Sequence, residues 1–310
     1  MKLSIVIPIY NEEENIDSLI NRLRTVVAQM QISCEYIFVN DGSKDHSFQL
    51  IKNLALADPA VKYIDFSRNF GHQIAVSAGL DLAAGDRVAI IDADLQDPPE
   101  LIIEMFAKMD QGYEVVYAKR NNRNGESWLK KFTAKVFYRI LKSITSVKIP
   151  VDTGDFRIID RKVVNVLNQM PEHNKFLRGQ ISWIGFKQTY VEYNRNVRQA
   201  GSTGYTYKKM IRLALDGITS FSNFPLKVAS ICGFVVSGIA FIVMIYALYS
   251  RYIIKDYVEG WTSTIISVLF LGGIQLISIG IIGEYISRLS ENARNRPLYI
   301  INETNIKKEA

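Results

Sequence analysis

Asp92-Ala93-Asp94-Leu95-Gln96-Asp97-Pro98-Pro99-Glu100, the stretch DADLQDPPE, decides how this chain is read. The four residues before it, Val88 to Ile91, are apolar and predict a short buried strand. Pro98 and Pro99 cannot extend a strand ladder, so the backbone must leave the sheet there. Glu100 then opens an apolar-periodic helix, Leu101 to Met109. Asp92, Asp94 and Gln96 are thereby set at the carboxyl end of a strand, where open α/β sheets hold their ligands. Hard oxygen donors at this spacing suit Mg²⁺ or Mn²⁺, which bind one or two carboxylates together with substrate phosphates and water. A bare Asp-x-Asp is more often a solvated turn. The strand before this one and the prolines after it set it apart.

On the N-terminal side the pattern alternates. Leu3 to Ile9 predicts a buried strand, and a helix from Glu12 to about Gln31 follows, with Glu12, Glu13 and Glu14 complementing its dipole. Tyr36 to Val39 predicts a second strand, ending in Asn40-Asp41-Gly42-Ser43. Ser43 or Asp45 can cap a helix over Ser47 to Ala57. Val61 to Phe66 is a third strand, Ser67 to Gly71 a loop, and His72 to Ala83 a helix that turns at Gly85-Asp86 into the Asp92 strand. The alternation predicts an α/β fold: a mostly parallel sheet with helices on both faces. No Gly-x-Gly-x-x-Gly follows the first strand and no Walker lysine loop is present, which removes the main support for a dehydrogenase or a P-loop NTPase.

Beyond it, Val115 to Ala118 predicts a strand. A basic stretch follows: Lys119, Arg120, Arg123, Lys130, Lys131, Lys135 and Arg139, interleaved with Trp128, Phe132, Phe137 and Tyr138. Such a run is a solvated helix face or an anion site bordering a lipid surface. Asp152 to Arg157 precedes a helix ending near Asn168, and Trp183 to Val191 predicts a β pair.

The 310 residues carry a net charge of +6 and a sequence pI near 9.1. That balance fits an anionic ligand or an anionic membrane surface; no nucleic-acid-binding motif accompanies it. Cys34 and Cys232 cannot build a disulfide framework and are read as buried thiols. His46, His72 and His173 lack metal-ligand spacing, which argues against zinc. The strand pattern directly after Lys2 predicts no signal peptide.

The composition shifts from Tyr207. Tyr207 to Asp216 predicts an amphipathic helix able to lie in a membrane interface, with Lys208, Lys209 and Arg212 on its polar side. Val228 to Ser250 and Thr262 to Gly283 then run 23 and 22 residues without a charge. A bilayer span needs about 20 apolar residues, so two transmembrane helices are predicted. The outer flanks are more basic than the connection, Arg251 to Trp261, which carries only Arg251 and Lys255. The positive-inside rule then puts the N-terminal domain and both termini in the cytoplasm, anchored in the cytoplasmic (inner) membrane. The predicted divisions are a catalytic domain over 1–206, a juxtamembrane segment over 207–227, a hairpin over 228–286 and a cytoplasmic tail over 287–310. Glycines in the spans and the arm Arg294 to Ile301 permit homo-oligomers. The polar tail beyond Glu303 is predicted to be disordered.

VIPIYNEEEN (Val6 to Asn15), VNDGSKD (Val39 to Asp45), RNFGHQIAVSAGL (Arg68 to Leu80), DADLQDPPE, DTGDFRIIDR (Asp152 to Arg161), GEYISRL and RNRPLYI occur in one order across nearly the whole chain. In these the chain resembles the membrane-bound family 2 glycosyltransferases that move a sugar from a nucleotide to a polyprenyl phosphate, such as dolichol-phosphate mannose synthases and, most of all, bacterial bactoprenol glucosyltransferases. The resemblance implies a GT-A fold and inversion at the anomeric carbon. It implies that Pro8, Tyr10, Asn11, Glu12 and Asp41 hold the uracil and ribose of a UDP-sugar, and that Asp92 and Asp94 face the diphosphate. Asp94 and Gln96 would hold the metal. Asp155 would lie near the reacting centre, and Arg120, Lys131 and Arg198 would receive the acceptor phosphate. One departure stands out: after Arg198 this family usually reads Gly-x-Ser/Thr-Lys-Tyr, and here Gly204 replaces the lysine.

A lipid phosphate is largely anionic near neutrality, its second pKa being about 6, so it needs little activation by a base. Asp155 is therefore read as a positioning or electrostatic residue. UDP-glucose is the leading donor, from the branch resemblance; UDP-GlcNAc, GDP-mannose and a UDP-aminoarabinose type are the alternatives. A processive polysaccharide synthase would need a Gln-x-x-Arg-Trp motif, but Trp183 follows Ser182. A catalytically inactive membrane scaffold would be expected to have lost Asp41, Asp94 or Asp155, and all three are present.

Overall fold

In a computed structural model of the chain, describing residues 2–121, 153–194, 224–249, 253 and 260–307, one sheet holds eight strands among the described residues. The elements run β1 (Lys2–Ile9), α1 (Ile16–Met30), β2 (Ser33–Asn40), α2 (Ser47–Ala57), β3 (Val61–Phe66), α3 (His72–Leu82), β4 (Arg87–Ile90), α4 (Leu101–Asp110), β5 (Val115–Arg120) and β6 (Thr153–Asp160). Then come α5 (Arg161–Asn168), α6 (Leu177–Ile184), β7 (Gln188–Tyr193), α7 (Phe224–Tyr249), α8 (Trp261–Ala293) and β8 (Ile301–Thr304). The strand order is β7-β5-β6-β4-β1-β2-β3-β8. β6 and β8 run against the other strands, so the sheet is mostly parallel.

Side-chain alternation builds a core on each face. Leu3, Ile5, Ile7 and Ile9 of β1 pack with Ile16, Leu19, Ile20 and Leu23 of α1 and with Ile102 and Met105 of α4. Val6 points the other way and joins Ile37, Val39, Ala75, Val76 and Val163. All these side chains are buried, and each such aliphatic contributes about 1.5–3 kcal/mol relative to exposure. α3 lies hard against β1: a Cβ on Gly79 would sit 2.3 Å from Val6 Cγ1.

Several expectations change in three dimensions. α1 begins at Ile16, not at Glu12, because the preceding backbone is held by another loop: the Glu12 amide donates to Ser47 Oγ (3.0 Å) and the Glu13 amide to Asp45 Oδ2 (3.2 Å). The stretch after Asp152 is strand β6, inserted antiparallel between β4 and β5. Trp183 to Val191 is no β pair. Trp183 lies in the last turn of helix α6, Gly185 caps it in the left-handed conformation (φ 80°), and the one strand of this stretch is β7, paired parallel to β5.

Residues 304–307 are ordered, although disorder was predicted beyond Glu303. β8 pairs antiparallel with β3, Asn305 Oδ1 accepts from the Tyr63 amide (2.8 Å), and Tyr299 stacks on Phe66 at 5.2 Å. This covers a sheet edge that would otherwise expose unpaired backbone groups. Cys34 lies inside β2, where burial above all pushes its thiol up to about 12. Cys232 is exposed on α7 rather than buried.

The chain divides into two compact units, Met1–Gly217 with Arg296–Ala310, and Ile218–Asn295. The second contains α7 and α8, which contact each other. Among the described residues one segment, Phe270–Ala293, is long and apolar enough to cross a membrane. The segment over 207–216 predicted to be amphipathic lies outside the described residues.

Gly79→Ala is expected to destabilise the protein by about 1–3 kcal/mol through overpacking against Val6. Thermal unfolding of the detergent-solubilised chain measures this. The Val6→Ala/Gly79→Ala double variant is expected to lose less than the sum of the single losses.

Candidate active site

The site is built at the carboxyl ends of the central strands, where β6 contributes from the opposite direction. Ile90 of β4 pairs with Arg157 of β6. Asp92 lies two residues past Ile90, beyond the end of β4, and Asp155 two residues before Arg157 in β6; because the two strands are antiparallel, this register brings them to the same end of the sheet. The two carboxylates meet on His72, the first residue of α3. His72 Nε2 is 3.2 Å from Asp155 Oδ2 and 3.6 Å from Asp92 Oδ1.

Asp41 holds the loop that delivers His72. Its carboxylate accepts from the amides of Phe70 (2.6 Å) and Gly71 (3.0 Å), and its carbonyl accepts from Asn69 Nδ2 (2.9 Å). Burial raises the Asp41 carboxyl above its ordinary value, and the two amides pull against that. A Cβ on Gly42, which adopts φ 68°, would lie 2.6 Å from the Asn69 nitrogen, so the close approach of the two loops requires glycine.

Asp155 is saturated. Oδ2 accepts from His72 and from Gln73 Nε2 (3.3 Å); Oδ1 accepts from Arg178 Nε (2.9 Å) and Arg157 Nη2 (3.3 Å). Burial opposes its ionisation, but Arg178, His72 and Arg157 outweigh burial and hold the carboxyl well below its ordinary range. Burial likewise drives His72 toward the neutral form, and Asp92 followed by Asp155 reverses this, raising its pKa to about 9. At Asp92 burial dominates, aided by Asp155, Asp97 and Asp94 against His72, and the carboxyl is pushed up to about 6.

The DADLQDPPE stretch turns sharply. Leu95 is buried at φ 55°, a conformation that costs a non-glycine residue free energy and is concentrated at functional sites. The turn lets Asp94 Oδ1 accept from the Gln96 amide (3.2 Å). Asp97 is buried; its Oδ1 accepts from the Tyr193 hydroxyl, and its Oδ2 lies 3.7 Å from Arg120 Nη2. Arg120 Nε also donates to the Tyr193 oxygen (3.2 Å). A Cβ on Gly154 would stand 2.9 Å from Arg120 Nη2, so the guanidinium lies against β6 one residue before Asp155.

The other predicted residues stand at the ends of β1 and β2. Pro8 is in β1, opposite Val39, and Tyr10 is 45 % exposed just beyond the strand. Asn11 adopts φ 55°; its Oδ1 accepts from the Lys44 amide (2.8 Å) and its own amide donates to Ser43 Oγ (3.0 Å). Glu12 accepts from Asn15 Nδ2 (2.6 Å). Lys131, Arg198 and Gly204 lie outside the described residues. The structure adds His72, Gln73, Asp97, Arg157, Arg178 and Tyr193 to the site. His72, Gln73, Asp97 and Arg157 stood inside quoted motifs without a role; Arg178 carried no sequence signal, because only folding sets it beside Asp155.

A metal fits the donor set only with help from a ligand. Among the described residues no group of three or more His, Cys, Asp and Glu side chains is placed to hold an ion. Asp92 Oδ1 is nonetheless buried without a hydrogen-bond partner. Carboxylate and amide oxygens at the Asp92–Gln96 turn match a hard cation that completes its shell with phosphate and water.

Residues 4–167 match the family described as Glycosyl transferase family 2. The chain belongs to that family. Residues 224–289 match the GtrB C-terminal hairpin. The glycosyltransferase is 51 % identical to the uncharacterized glycosyltransferase YkcC of Bacillus subtilis, over 98 % of this chain and 94 % of that one. It is 44 % identical to the prophage bactoprenol glucosyl transferase homolog of Escherichia coli, covering 97 % and 98 % of the two chains. With the bactoprenol glucosyl transferase of Shigella phage SfII it shares 42 % identity over 98 % of each. The sheet just described is thus a GT-A type fold, and the carboxylates at its strand ends are the candidate machinery of a glycosyltransferase.

His72 gives the cluster a pH signature. Its pKa rises from 6.5 to about 9 on folding, so its stabilising contribution is complete below pH 6.5 and is lost as the pH rises through about 9. The difference in melting temperature between the protein and His72→Gln, measured in EDTA without nucleotide, is expected to be larger at pH 6 than at pH 9.5.

Proposed function

We propose that this glycosyltransferase moves glucose from UDP-glucose to undecaprenyl or another polyprenyl phosphate at the cytoplasmic membrane face, with inversion. UDP-GlcNAc, GDP-mannose or a UDP-aminoarabinose type donor would serve the same reaction. The observation that carries this reading is the meeting of Asp92, Asp155 and their cations at one end of a family 2 sheet. The full-length likeness to bactoprenol glucosyl transferases supports the sugar and the lipid. The hairpin match over residues 224–289 and the apolar segment Phe270–Ala293 support a membrane anchor of two spans, and the basic outer flanks support a cytoplasmic catalytic unit and termini.

In this reading an oxygen of the lipid phosphate attacks the anomeric carbon in line, and the bond from that carbon to the β-phosphate oxygen breaks. The electron pair leaves with UDP, which takes up the negative charge the acceptor phosphate gives up. No proton has to move. Asp155 therefore acts by position and charge, as four donors on its two oxygens leave it little capacity as a base. Pro8, Tyr10, Asn11, Glu12 and Asp41 form the nucleoside side and Asp92 faces the diphosphate. Arg120, with Lys131 and Arg198, receives the lipid phosphate, for which guanidinium groups are suited by their bidentate geometry. Asp94 and Gln96 would hold Mg²⁺ or Mn²⁺, which supplies Lewis-acid stabilisation of the leaving diphosphate.

Purified protein given labelled nucleotide sugars, undecaprenyl phosphate and Mg²⁺ or Mn²⁺ is expected to form one organic-soluble product, and none in EDTA. Product from no donor would overturn the reading. Asp94→Asn is expected to lower product formation at least about a hundredfold while the protein keeps its melting temperature and membrane association; full activity would remove the metal assignment.

A further inference from the structure

Asp97 and Tyr193 have no role in the reaction as drawn above, yet together they grip the cation assigned to the acceptor phosphate. Arg120 and Tyr193 are the last residues of β5 and β7 and stand opposite each other. The Asn121 amide donates to the Tyr193 carbonyl (2.9 Å), which pins the pair at the strand ends. Ala118 and Val191, two residues earlier on each strand, pack with Tyr193 in the core that also holds Ile102 and Met105 of α4. From that buried position the Tyr193 hydroxyl donates to the equally buried Asp97 Oδ1.

A phenol has one proton to give. Asp97 takes it, so the Tyr193 oxygen presents only lone pairs to Arg120, whose Nε donates to it (3.2 Å). Arg120 Nη2 stands 3.7 Å from Asp97 Oδ2 and lies against Gly154, one residue before Asp155. Nε and Nη2 form one edge of a guanidinium, and Tyr193 and Asp97 occupy that edge. The other fork is Nη1 with the second proton of Nη2. No described residue accepts from Nη1, and the side chain is a quarter exposed. A fork of this kind takes a phosphate bidentately. We propose that Tyr193 is a positioning residue for the transfer, holding the inner edge of Arg120 so that the outer fork meets the acceptor phosphate beside Asp155. An arginine that is already held loses little rotamer freedom when the phosphate arrives. This rests on the reading of Arg120 as an acceptor-phosphate residue.

Transfer kinetics and nucleotide binding together separate this role from a merely structural one. The full chain in detergent, with Mn²⁺ and the donor that gives product, is assayed over a range of undecaprenyl phosphate. The wild type, Tyr193→Phe, Arg120→Gln and the double variant are compared. Tyr193→Phe is expected to raise the KM for undecaprenyl phosphate about tenfold while kcat changes less than about twofold. Calorimetry should find its affinity for the released nucleoside diphosphate unchanged, which also shows that the site is folded. The double variant is expected to match Arg120→Gln, because the hydroxyl acts through that side chain. Three outcomes would each overturn the role of Tyr193 alone: an unchanged acceptor KM in Tyr193→Phe, an equal loss of nucleotide affinity, or single losses that multiply in the double variant. A wild-type acceptor KM in Arg120→Gln would overturn the assignment of Arg120, and a wild type that forms product from no donor the whole reading, each taking this inference with it.

Discussion

β6 runs antiparallel between β4 and β5, with Ile90 opposite Arg157 and Val116 opposite Ile158. A strand in that slot with parallel direction would carry its N-terminal end, and Asp155 with it, to the far side of the sheet. Because the direction is reversed, Asp155 reaches the carboxyl end of β4, where the Asp92–Glu100 turn leaves the sheet. Between Asp155 and Asp160 the strand is apolar apart from Arg157, whose buried guanidinium is held by the carbonyls of Gly154 (3.0 Å) and Asp155 (3.1 Å). The register of the sheet and the geometry of the site are thus set by the same few residues.

Around this joint, charges are arranged in alternation. Asp92, His72, Asp155 and the pair Arg157 and Arg178 form a chain in which each anion has a cation beside it. Buried charges are costly unless paired and hydrogen-bonded. Here the pairs compensate that cost and fix the rotamers of groups that would otherwise be mobile. Asp97, Tyr193 and Arg120 make a second chain on the β5 and β7 side. Asp41 acts through the backbone: by taking the Phe70 and Gly71 amides it ties the end of β2 to the start of α3 and so places His72.

The sheet ends on the other side with a strand drawn from the far terminus. Lys52 and Tyr63 both bind Glu303, while Asn302 Nδ2 donates to Asp65 Oδ2 (2.8 Å), and Asp65 Oδ1 in turn accepts from Asn40 Nδ2 (2.7 Å). The C-terminal strand is therefore linked through polar contacts to the end of β2, next to Asp41. Its short length and its polar residues explain why hydropathy gave no sign of a strand.

The sequence by itself determined the alternating α/β order, the bounds of α2, the C-terminal end of α5, the strand-end position of the Asp92–Gln96 turn and the apolar stretches of α7 and α8. Each of these depends on neighbours along the chain: side-chain period, proline's missing amide and runs without charge. The quoted motifs also contain Asp41, Asp92, Asp94 and Asp155. The tertiary structure alone decided the direction of β6, the helix in place of a β pair at Trp183, the start of α1 at Ile16 and the pairing of β8 with β3. It alone brought Arg178 and His72 onto Asp155, 23 and 83 residues away along the chain. The reason is physical. These outcomes rest on hydrogen bonds and ion pairs between distant segments, whose free energy depends on burial and geometry that exist only once the sheet has assembled.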